Sequence, residues 1–241
     1  MNQAVKDTGA VGVGVAQRPG TNPPCADGVD VQRRGDEVCA AVVDGAGHRA
    51  DTVRYARIAP AVITHLGMSL DGLAALMTAG QMAKAYEQPP HASAVFACMR
   101  PGVPTVVHWI GDCRAYGWDG TALTQWSTDQ TMGEWLRVNG GVPVEIAENH
   151  DNWSRLGLAK ASAATCRQVE IPEEVGLVLL VSDGVPDHVG LNTVEALCRS
   201  HGSEPQVLAD ALVAAARGDS EGYRDDTTAV VLARGPGIST N

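Results

Sequence analysis

The 241-residue sequence has few aromatic residues, no long apolar run and no signal-like start. Phe, Trp and Tyr make up 4% of the chain, with a single Phe. No apolar stretch approaches the roughly 20 residues that a membrane-spanning helix needs. Residues 1–8 contain Lys6 and Asp7 and lack the apolar segment of a signal peptide. We therefore expect a cytoplasmic protein that does not associate with membranes.

Basic residues are also scarce, and the cysteines are widely spaced. The chain has 18 Lys and Arg against 28 Asp and Glu, a net charge of −10. Because this charge repels polyanions, nucleic acid is not expected as a partner. The nearest two of the six cysteines are Cys25 and Cys39, so there is no CxxC pair for a zinc knuckle. The cysteines are expected to be reduced and mostly buried.

Repeats, low-complexity tracts and Pro- or Ser-rich linkers are absent as well, apart from a polar tail at 235–241. This predicts a single domain over residues 1–241. A chain of this length buries about seven-tenths of its surface on folding, which is enough for a core without disulfides.

The hydrophobic pattern separates strands from helices. Strands are predicted at 11–15, 29–32, 38–43, 92–99, 105–110, 114–118, 122–126, 175–181 and 227–233. Two helices are predicted between the third and fourth strands and two more before the last. Pro60 lies within the first helical segment and is expected to kink or restart it. This segregation favours a layered α+β fold over a doubly wound one.

Aspartates stand at the ends of four of these strands. They are Asp44, Asp112, Asp183 and Asp225. A single Asp-Gly pair is typical of a turn, and the chain contains five. If the strands are neighbours, however, the carboxylates meet at one edge, where their repulsion requires cations. Oxygen ligands without nearby His or Cys pairs favour Mg²⁺ or Mn²⁺, and two such ions are typical of phosphate-ester hydrolysis.

Four segments resemble, in order, the signatures of the metal-dependent protein phosphatases of the 2C type. They are residues 42–47 (VVDGAG), 111–116 (GDCRAY), 180–187 (LVSDGVPD) and 225–228 (DDTT). Residues 91–95 (HASAV) are similar to that family's Gly-Thr-Thr strand, and the resemblance covers about 11–233. It implies a four-layer α-β-β-α sandwich, in which two antiparallel β-sheets are flanked by helix pairs.

The resemblance also implies a centre of two Mn²⁺ or Mg²⁺ ions. In this family pattern Asp44 bridges the ions, Gly45 offers its carbonyl, and Asp183 and Asp225 complete the ligands. Asp112 together with Asp183 implies a third, weaker ion.

Catalytic and substrate-binding residues follow from the same resemblance. It implies catalytic roles for Asp27, Asp44, Asp183 and Arg18, and substrate binding by Arg18. His48 is a further substrate-binding candidate because it stands beside the glycine-rich turn, and the alternative is a helix-start histidine that faces solvent. The N-terminal signature departs from the family: its Asn-Glu-Asp becomes Cys25-Ala26-Asp27, and Ala46 replaces a histidine found in some members. Residues 130–152 match the flap that borders the cleft and influences substrate choice.

The expected function is therefore hydrolysis of phosphoserine and phosphothreonine in phosphorylated proteins, by direct attack of metal-activated water. One alternative is a weak or inactive pseudophosphatase that acts as a binding or regulatory module, which the substitution at Cys25-Ala26 favours. The other is a phosphatase dedicated to one partner, such as a phosphorylated anti-sigma-factor antagonist. The complete set of metal-ligand candidates favours an enzyme.

Overall fold

The computed structural model describes residues 10–235. The start of the chain used for the signal-peptide expectation, and residues 236–241 of the predicted polar tail, lie outside this range. No described helix is long and apolar enough to span a bilayer.

Ten strands are present within residues 10–235. In chain order they are β1 (Gly12–Arg18), β2 (Asp27–Arg34), β3 (Glu37–Gly45), β4 (Ala92–Met99), β5 (Thr105–Ile110), β6 (Arg114–Trp118), β7 (Leu123–Gln125), β8 (Arg167–Ile171), β9 (Leu177–Val181) and β10 (Thr227–Ala233).

Seven α-helices occur in the same part of the chain. They are α1 (Ala50–Ser69), α2 (Gly72–Lys84), α3 (Met132–Asn139), α4 (Val144–Glu148), α5 (Gly184–Val189), α6 (Leu191–His201) and α7 (Pro205–Ala215). The helices α3 and α4 lie in the predicted flap segment.

The strands form two five-stranded sheets, and every pairing in them is antiparallel. The first sheet has the order β1-β10-β9-β6-β7 and the second has the order β2-β3-β4-β5-β8. The helices α1 and α2 pack on the second sheet, whereas α7 packs on the first and α6 packs against α7. The predicted α-β-β-α sandwich is confirmed.

The alternation of side chains along β3 explains how one strand serves two cores. Cys39, Ala41 and Val43 face the layer formed with α1 and α2. Val38, Ala40 and Val42 face the opposing sheet. Because successive strand residues point to opposite faces, a strand covered on both sides needs an unbroken apolar run, and 38–43 supplies one.

The first helix continues past the proline at which the sequence predicted a kink or a restart. Pro60 lies inside α1, which continues from Ala50 to Ser69, so the predicted restart is wrong. Pro60 is buried in a close contact with β2: a Cβ on Gly28 would lie 1.9 Å from the Ala56 carbonyl oxygen and 3.1 Å from Pro60 Cγ. Tight packing of the helix on the strand offsets the backbone hydrogen bond that proline cannot make.

Candidate metal centre

The register of the second sheet places polar residues in one row at its end. Asp44 lies at the end of β3, opposite Asp27 of β2 on one side and Ser93 of β4 on the other. The apolar run of β3 buries the strand up to Val43, so the first carboxylate after that run emerges where the sandwich opens.

The first sheet contributes two further aspartates at the same end. Asp183 follows β9 and Asp225 precedes β10, and these two strands are antiparallel neighbours. Their pairing continues beyond the strands, because Ser182 N donates to the Thr228 carbonyl at 3.1 Å. Asp225 N donates to His188 Nε2 at 3.1 Å, which holds the segment before β10 against α5.

Asp112 is placed by a turn that only glycine fits. Gly111 has φ +93°, and a Cβ there would lie 2.1 Å from Ser93 Oγ. The close approach lets Ser93 Oγ donate to Asp112 Oδ1 at 2.5 Å and accept from Asp112 N at 3.3 Å. These two hydrogen bonds hold Asp112, which follows β5, next to Ser93 in the polar row at the end of the second sheet.

These residues surround one cavity of about 730 Å³ between the ends of the two sheets. The five predicted metal ligands all line it, and they are Asp44, Gly45, Asp112, Asp183 and Asp225. Asp112 and Asp183 also line a neighbouring cavity of about 490 Å³ with Arg114 and Asp187. The sheet topology therefore brings together residues that are up to 181 positions apart in the chain.

The carboxylates destabilise one another's charged forms. Burial raises the pKa of Asp44 well above its ordinary value, and the charges of Asp183, Asp27 and Asp112 raise it further. Burial likewise raises the pKa of Asp183, to which the charges of Asp112 and Asp225 add. A divalent cation would remove this repulsion, because it favours the ionised carboxylates.

The donor set fits hard divalent cations. The carboxylates and the backbone at Gly45 offer oxygen, which Mg²⁺ and Mn²⁺ prefer. Within the described chain, the one trio whose ligand atoms all lie within 4.8 Å of one another is Glu37, Cys39 and Cys98, which is outside this cavity. The ligand atoms of the cavity aspartates are spaced more widely than those of this trio. Such spacing favours ions that keep several bound waters over a single ion held directly by three carboxylates.

Asp27 lies behind this set, whereas Asp226 lines the cavity, and both side chains are held by hydrogen bonds to the protein. Asp27 is 3% exposed, accepts a hydrogen bond from Thr228 Oγ1 at 2.7 Å, and lies outside the residues that line the cavity. Burial raises its pKa to about 7. Asp226 accepts from Ala26 N at 2.7 Å and from Gly20 N at 2.5 Å, which fastens the loop before β2 to the start of β10.

The two predicted substrate-binding residues occupy different places. Arg18 lies outside the cavity lining, and its guanidinium donates to the carbonyls of Ala216 at 3.2 Å and Val213 at 3.4 Å. These contacts satisfy the end of α7 and do not support a phosphate-binding role. His48 lies at the cavity rim, where its Nδ1 is 3.1 Å from the Pro24 carbonyl. Because a carbonyl only accepts, Nδ1 carries the proton and Nε2 is left to the cavity.

The cavity that holds the aspartates is also lined by a group of basic residues, here called the basic wall, which was not predicted from the sequence. The basic wall consists of His91, Arg155 and Lys160, which all line the cavity. The His91 carbonyl accepts from Ala46 N at 3.0 Å, and Lys160 Nζ donates to the Arg155 carbonyl at 3.1 Å. Within residues 10–235, neither His91 Nε2 nor Arg155 Nε has a hydrogen-bond partner, although both atoms are buried.

Solved bacterial phosphatases share this arrangement of sheets and helices. The serine/threonine phosphatase of S. agalactiae has a TM-score of 0.75 at 15% identity, over 92% of this chain and 99% of its own. PstP of Mycobacterium tuberculosis has a TM-score of 0.72 at 20% identity, over 92% of this chain and 98% of its own. The PPM Ser-Thr phosphatase MsPP of Mycobacterium smegmatis has a TM-score of 0.71 at 19% identity, over 94% and 100%.

The chain has the PPM phosphatase fold. Comparison with protein-family models gives no match, and a search among curated proteins gives none either. At identities of 15–20% the likeness to these structures establishes the PPM fold, and the chemistry has to be argued from this chain's own residues.

Proposed function

We propose that the protein is a metal-dependent phosphatase of phosphoserine and phosphothreonine in proteins. The observation that carries the proposal is the single cavity lined by all five predicted ligand positions, in which burial and mutual repulsion raise the pKa of Asp44 and Asp183. The PPM fold and the neutralisation that these aspartates require support the same reaction class. The cytoplasmic location remains a prediction.

The proposed ligands are Asp44, Asp183 and Asp225 together with the backbone of Gly45, and they would hold two Mn²⁺ or Mg²⁺ ions. When bound, these ions would activate water and stabilise the negative charge that develops on the phosphoryl group. Asp112 and Asp183 would hold a third ion. Weaker binding there is consistent with Arg114, which lines the adjoining cavity and approaches Asp187 at 4.0 Å.

The basic wall would bind the substrate phosphate. Lys160 and Arg155 supply positive charge opposite the aspartates, and His91 presents a buried ring nitrogen that has no partner among residues 10–235. Phosphate oxygens accept hydrogen bonds from the Lys160 ammonium group and the Arg155 guanidinium group, and from His91 when its Nε2 carries the proton. Lys160 and Arg155 would therefore have the phosphate-binding role that the resemblance implied for Arg18.

Asp27 would act through Asp44 and would not contact the substrate. It lies directly opposite Asp44 in the sheet, and its buried carboxyl has a pKa of about 7. It can therefore hold or release a proton near neutral pH beside the proposed bridging ligand. Thr228 Oγ1 fixes the orientation of that carboxyl.

A protein substrate fits the surface around the cavity better than a small metabolite. Trp153 lines the cavity and is 58% exposed, and Trp135 on α3 is 42% exposed. Exposed aromatic side chains next to a polar cleft provide contact area for the chain that flanks a phosphorylated residue. Trp135 belongs to the flap segment 130–152 and Trp153 follows it directly, so this segment would influence which phosphoproteins are accepted.

A pseudophosphatase is the second candidate, and Ala26 is the observation that favours it. Ala26 stands where the family pattern has a glutamate, it is 2% exposed, and its carbonyl accepts from Gly45 N at 3.1 Å. The position thus supports the backbone of the proposed metal site without offering a carboxylate. A binding module would retain metal and phosphoprotein affinity but lack turnover.

Phosphate release from a phosphothreonine peptide distinguishes the two functions. With Mn²⁺ present we expect turnover that excess chelator abolishes. Asp183→Asn should reduce it by at least ~100-fold, about 2.7 kcal/mol of transition-state stabilisation. The matched control is Asp36→Asn, an exposed turn residue that should retain wild-type activity. A wild-type protein that binds Mn²⁺ and the peptide without releasing phosphate would establish the binding module instead.

A further inference from the structure

Two cysteines outside the cavity face each other across adjacent strands. Cys39 of β3 and Cys98 of β4 are register partners, and their Sγ atoms are 2.7 Å apart. We propose that Cys39 and Cys98 form a modification site at which a low-molecular-weight disulfide oxidises the pair to a reversible intramolecular disulfide. This inference does not depend on the proposed phosphatase activity.

The backbone already has the separation that a disulfide needs. Directly opposed residues of antiparallel strands have Cα atoms about 4.5–5.5 Å apart. Disulfides span Cα separations of about 4.4–6.8 Å. Bond formation therefore requires side-chain adjustment and no movement of β3 relative to β4.

The two thiols differ in access. Cys39 is 0% exposed, whereas Cys98, near the C-terminal end of β4, is partly exposed. Hydrogen bonding with Cys39 and burial raise the pKa of the Cys98 thiol, and the nearby charge of Glu37 adds to this. The reaction should therefore begin at Cys98 and be slow at neutral pH, since the thiolate is the nucleophile.

Glu37 makes a metal site the competing interpretation. Its Oε1 is 3.2 Å from Cys98 Sγ, and the three side chains form the trio of donors noted above. Two arginines already engage this carboxylate, however: Arg34 at 3.0 Å and Arg100 at 3.6 Å. Tetrahedral zinc with Zn–S bonds of 2.3 Å would separate the sulfurs by about 3.8 Å. The observed Sγ–Sγ distance of 2.7 Å is shorter than this separation, which favours a disulfide over a zinc site.

With glutathione disulfide as oxidant, the chemistry balances in two exchanges. The Cys98 thiolate attacks one sulfur of glutathione disulfide, a mixed disulfide forms, and one glutathione thiolate leaves. The Cys39 thiolate then attacks Cys98 Sγ, the second glutathione leaves, and the protein disulfide is complete. Each protein thiol releases one proton, and the two glutathione thiolates take them up. The protein loses two electrons and glutathione disulfide gains them.

Oxidation should stabilise the sandwich. The bond would close a loop between residues 59 positions apart, across the strand that carries Asp44 and the strand that carries Ser93. Restricting the unfolded chain over a loop of this length should raise the Tm by about 5–10 °C. Reduction with dithiothreitol should return the Tm to its starting value.

The test is intact-mass and peptide analysis of the full chain, incubated with glutathione disulfide and then alkylated. We expect Cys39 and Cys98 to remain unalkylated and their two peptides to be joined by a disulfide. The joined peptides should weigh two hydrogen atoms less than the sum of the two reduced peptides. Cys39→Ser should instead retain one glutathione on Cys98, and Cys98→Ser should form neither product. Cys166→Ala, a buried cysteine elsewhere in the same core, is the control and should behave like wild type.

Three outcomes would overturn the proposal. They are full alkylation of both thiols after prolonged oxidation, a disulfide that joins other cysteines, and retention of stoichiometric zinc that protects the pair from oxidation. Peptide mapping of the wild-type protein decides among them even if a serine variant fails to fold.

Discussion

Single aspartates just beyond buried strands determine the chemistry of the cavity. Each of Asp44, Asp112 and Asp183 has a raised pKa because burial and like charges oppose ionisation. Such an arrangement costs folding free energy without cations, so it is more readily explained as a binding site than as structural support.

Replacing Lys160 tests the basic wall. Lys160→Gln removes a positive charge that faces the aspartates, so it should raise the KM for a phosphopeptide about fivefold, or about 1 kcal/mol, since this lysine is exposed. The kcat should change less. Steady-state kinetics with Lys84→Gln, an exposed lysine at the end of α2, provide the comparison. Equal KM values for wild type and Lys160→Gln would rule out this role.

At the scale of residues, the sequence was sufficient to predict the cavity aspartates, but it did not predict the basic residues that the fold brings to the same cavity. Asp44, Asp112, Asp183 and Asp225 stand beside apolar strands, so sequence position alone suggested their convergence. Lys160 stands in a segment with no clear periodicity, and only its contacts within the folded chain bring it to the cavity.

Under the proposed function, the flap segment 130–152 is the element that would separate small from large substrates. The helices α3 and α4 sit on a stem in which Met132 N donates to the Trp153 carbonyl at 2.8 Å, and Thr131 bridges Ser154. Arg137 pairs with Asp151 across the segment. These contacts lie beside the cavity and outside the sheets.

Replacing residues 133–151 with a short Gly-Ser connection should therefore affect substrates unequally. Hydrolysis of an aryl phosphate should remain within about threefold of wild type, since the sheets hold the aspartates, whereas kcat/KM for a phosphopeptide should fall at least ~10-fold. The measurement is the ratio of the two rates, with a circular dichroism melt to verify folding. Equal losses on both substrates would show that the segment is structural.

Among the elements, strands with strong apolar patterns were predicted accurately. The bounds 92–99, 105–110 and 114–118 match β4, β5 and β6. The prediction missed β8, an edge strand whose sequence RQVEI has three polar residues and whose partner β5 is distant in the chain. It also missed α5, a helix of six residues that contains a proline.

For the whole molecule, metal and pH should act on stability together. Burial raises the pKa of Asp27 to about 7 in the folded protein, against about 3.9 in an unfolded chain. The folded metal-free state therefore binds more protons than the unfolded state between these values. The stabilisation is complete below about pH 4 and is lost as the pH rises through 7.

The Tm of the chelator-treated protein should consequently fall between about pH 4.5 and 7. His91 and His108, whose pKa values burial lowers, act in the opposite direction over the upper part of this range, so the slope measured for Asp27→Asn is the reference. Asp27→Asn should flatten the decline, and Asp36→Asn should not. Added Mn²⁺ should abolish it, because the cation replaces the protons. Equal slopes for wild type and Asp27→Asn would contradict the assignment.

The layered architecture follows from the order of strands and helices, whereas the exact strand order does not. The first sheet joins β1 to β10, from opposite ends of the chain, and the second joins β5 to β8 across the flap. Such pairings depend on contacts between distant segments, so they are not encoded in any local pattern.

The central claim is that the aspartate cavity binds divalent cations. Its most direct test is calorimetric titration of Mn²⁺ into metal-stripped protein, comparing wild type with Asp44→Asn and Asp36→Asn. The account predicts saturable binding to wild type and Asp36→Asn, and at least ~10-fold weaker binding to Asp44→Asn, equivalent to about 1.4 kcal/mol. Absence of binding to wild type up to about millimolar Mn²⁺, where the binding free energy is about −4.1 kcal/mol, or equal binding to all three proteins, would contradict it.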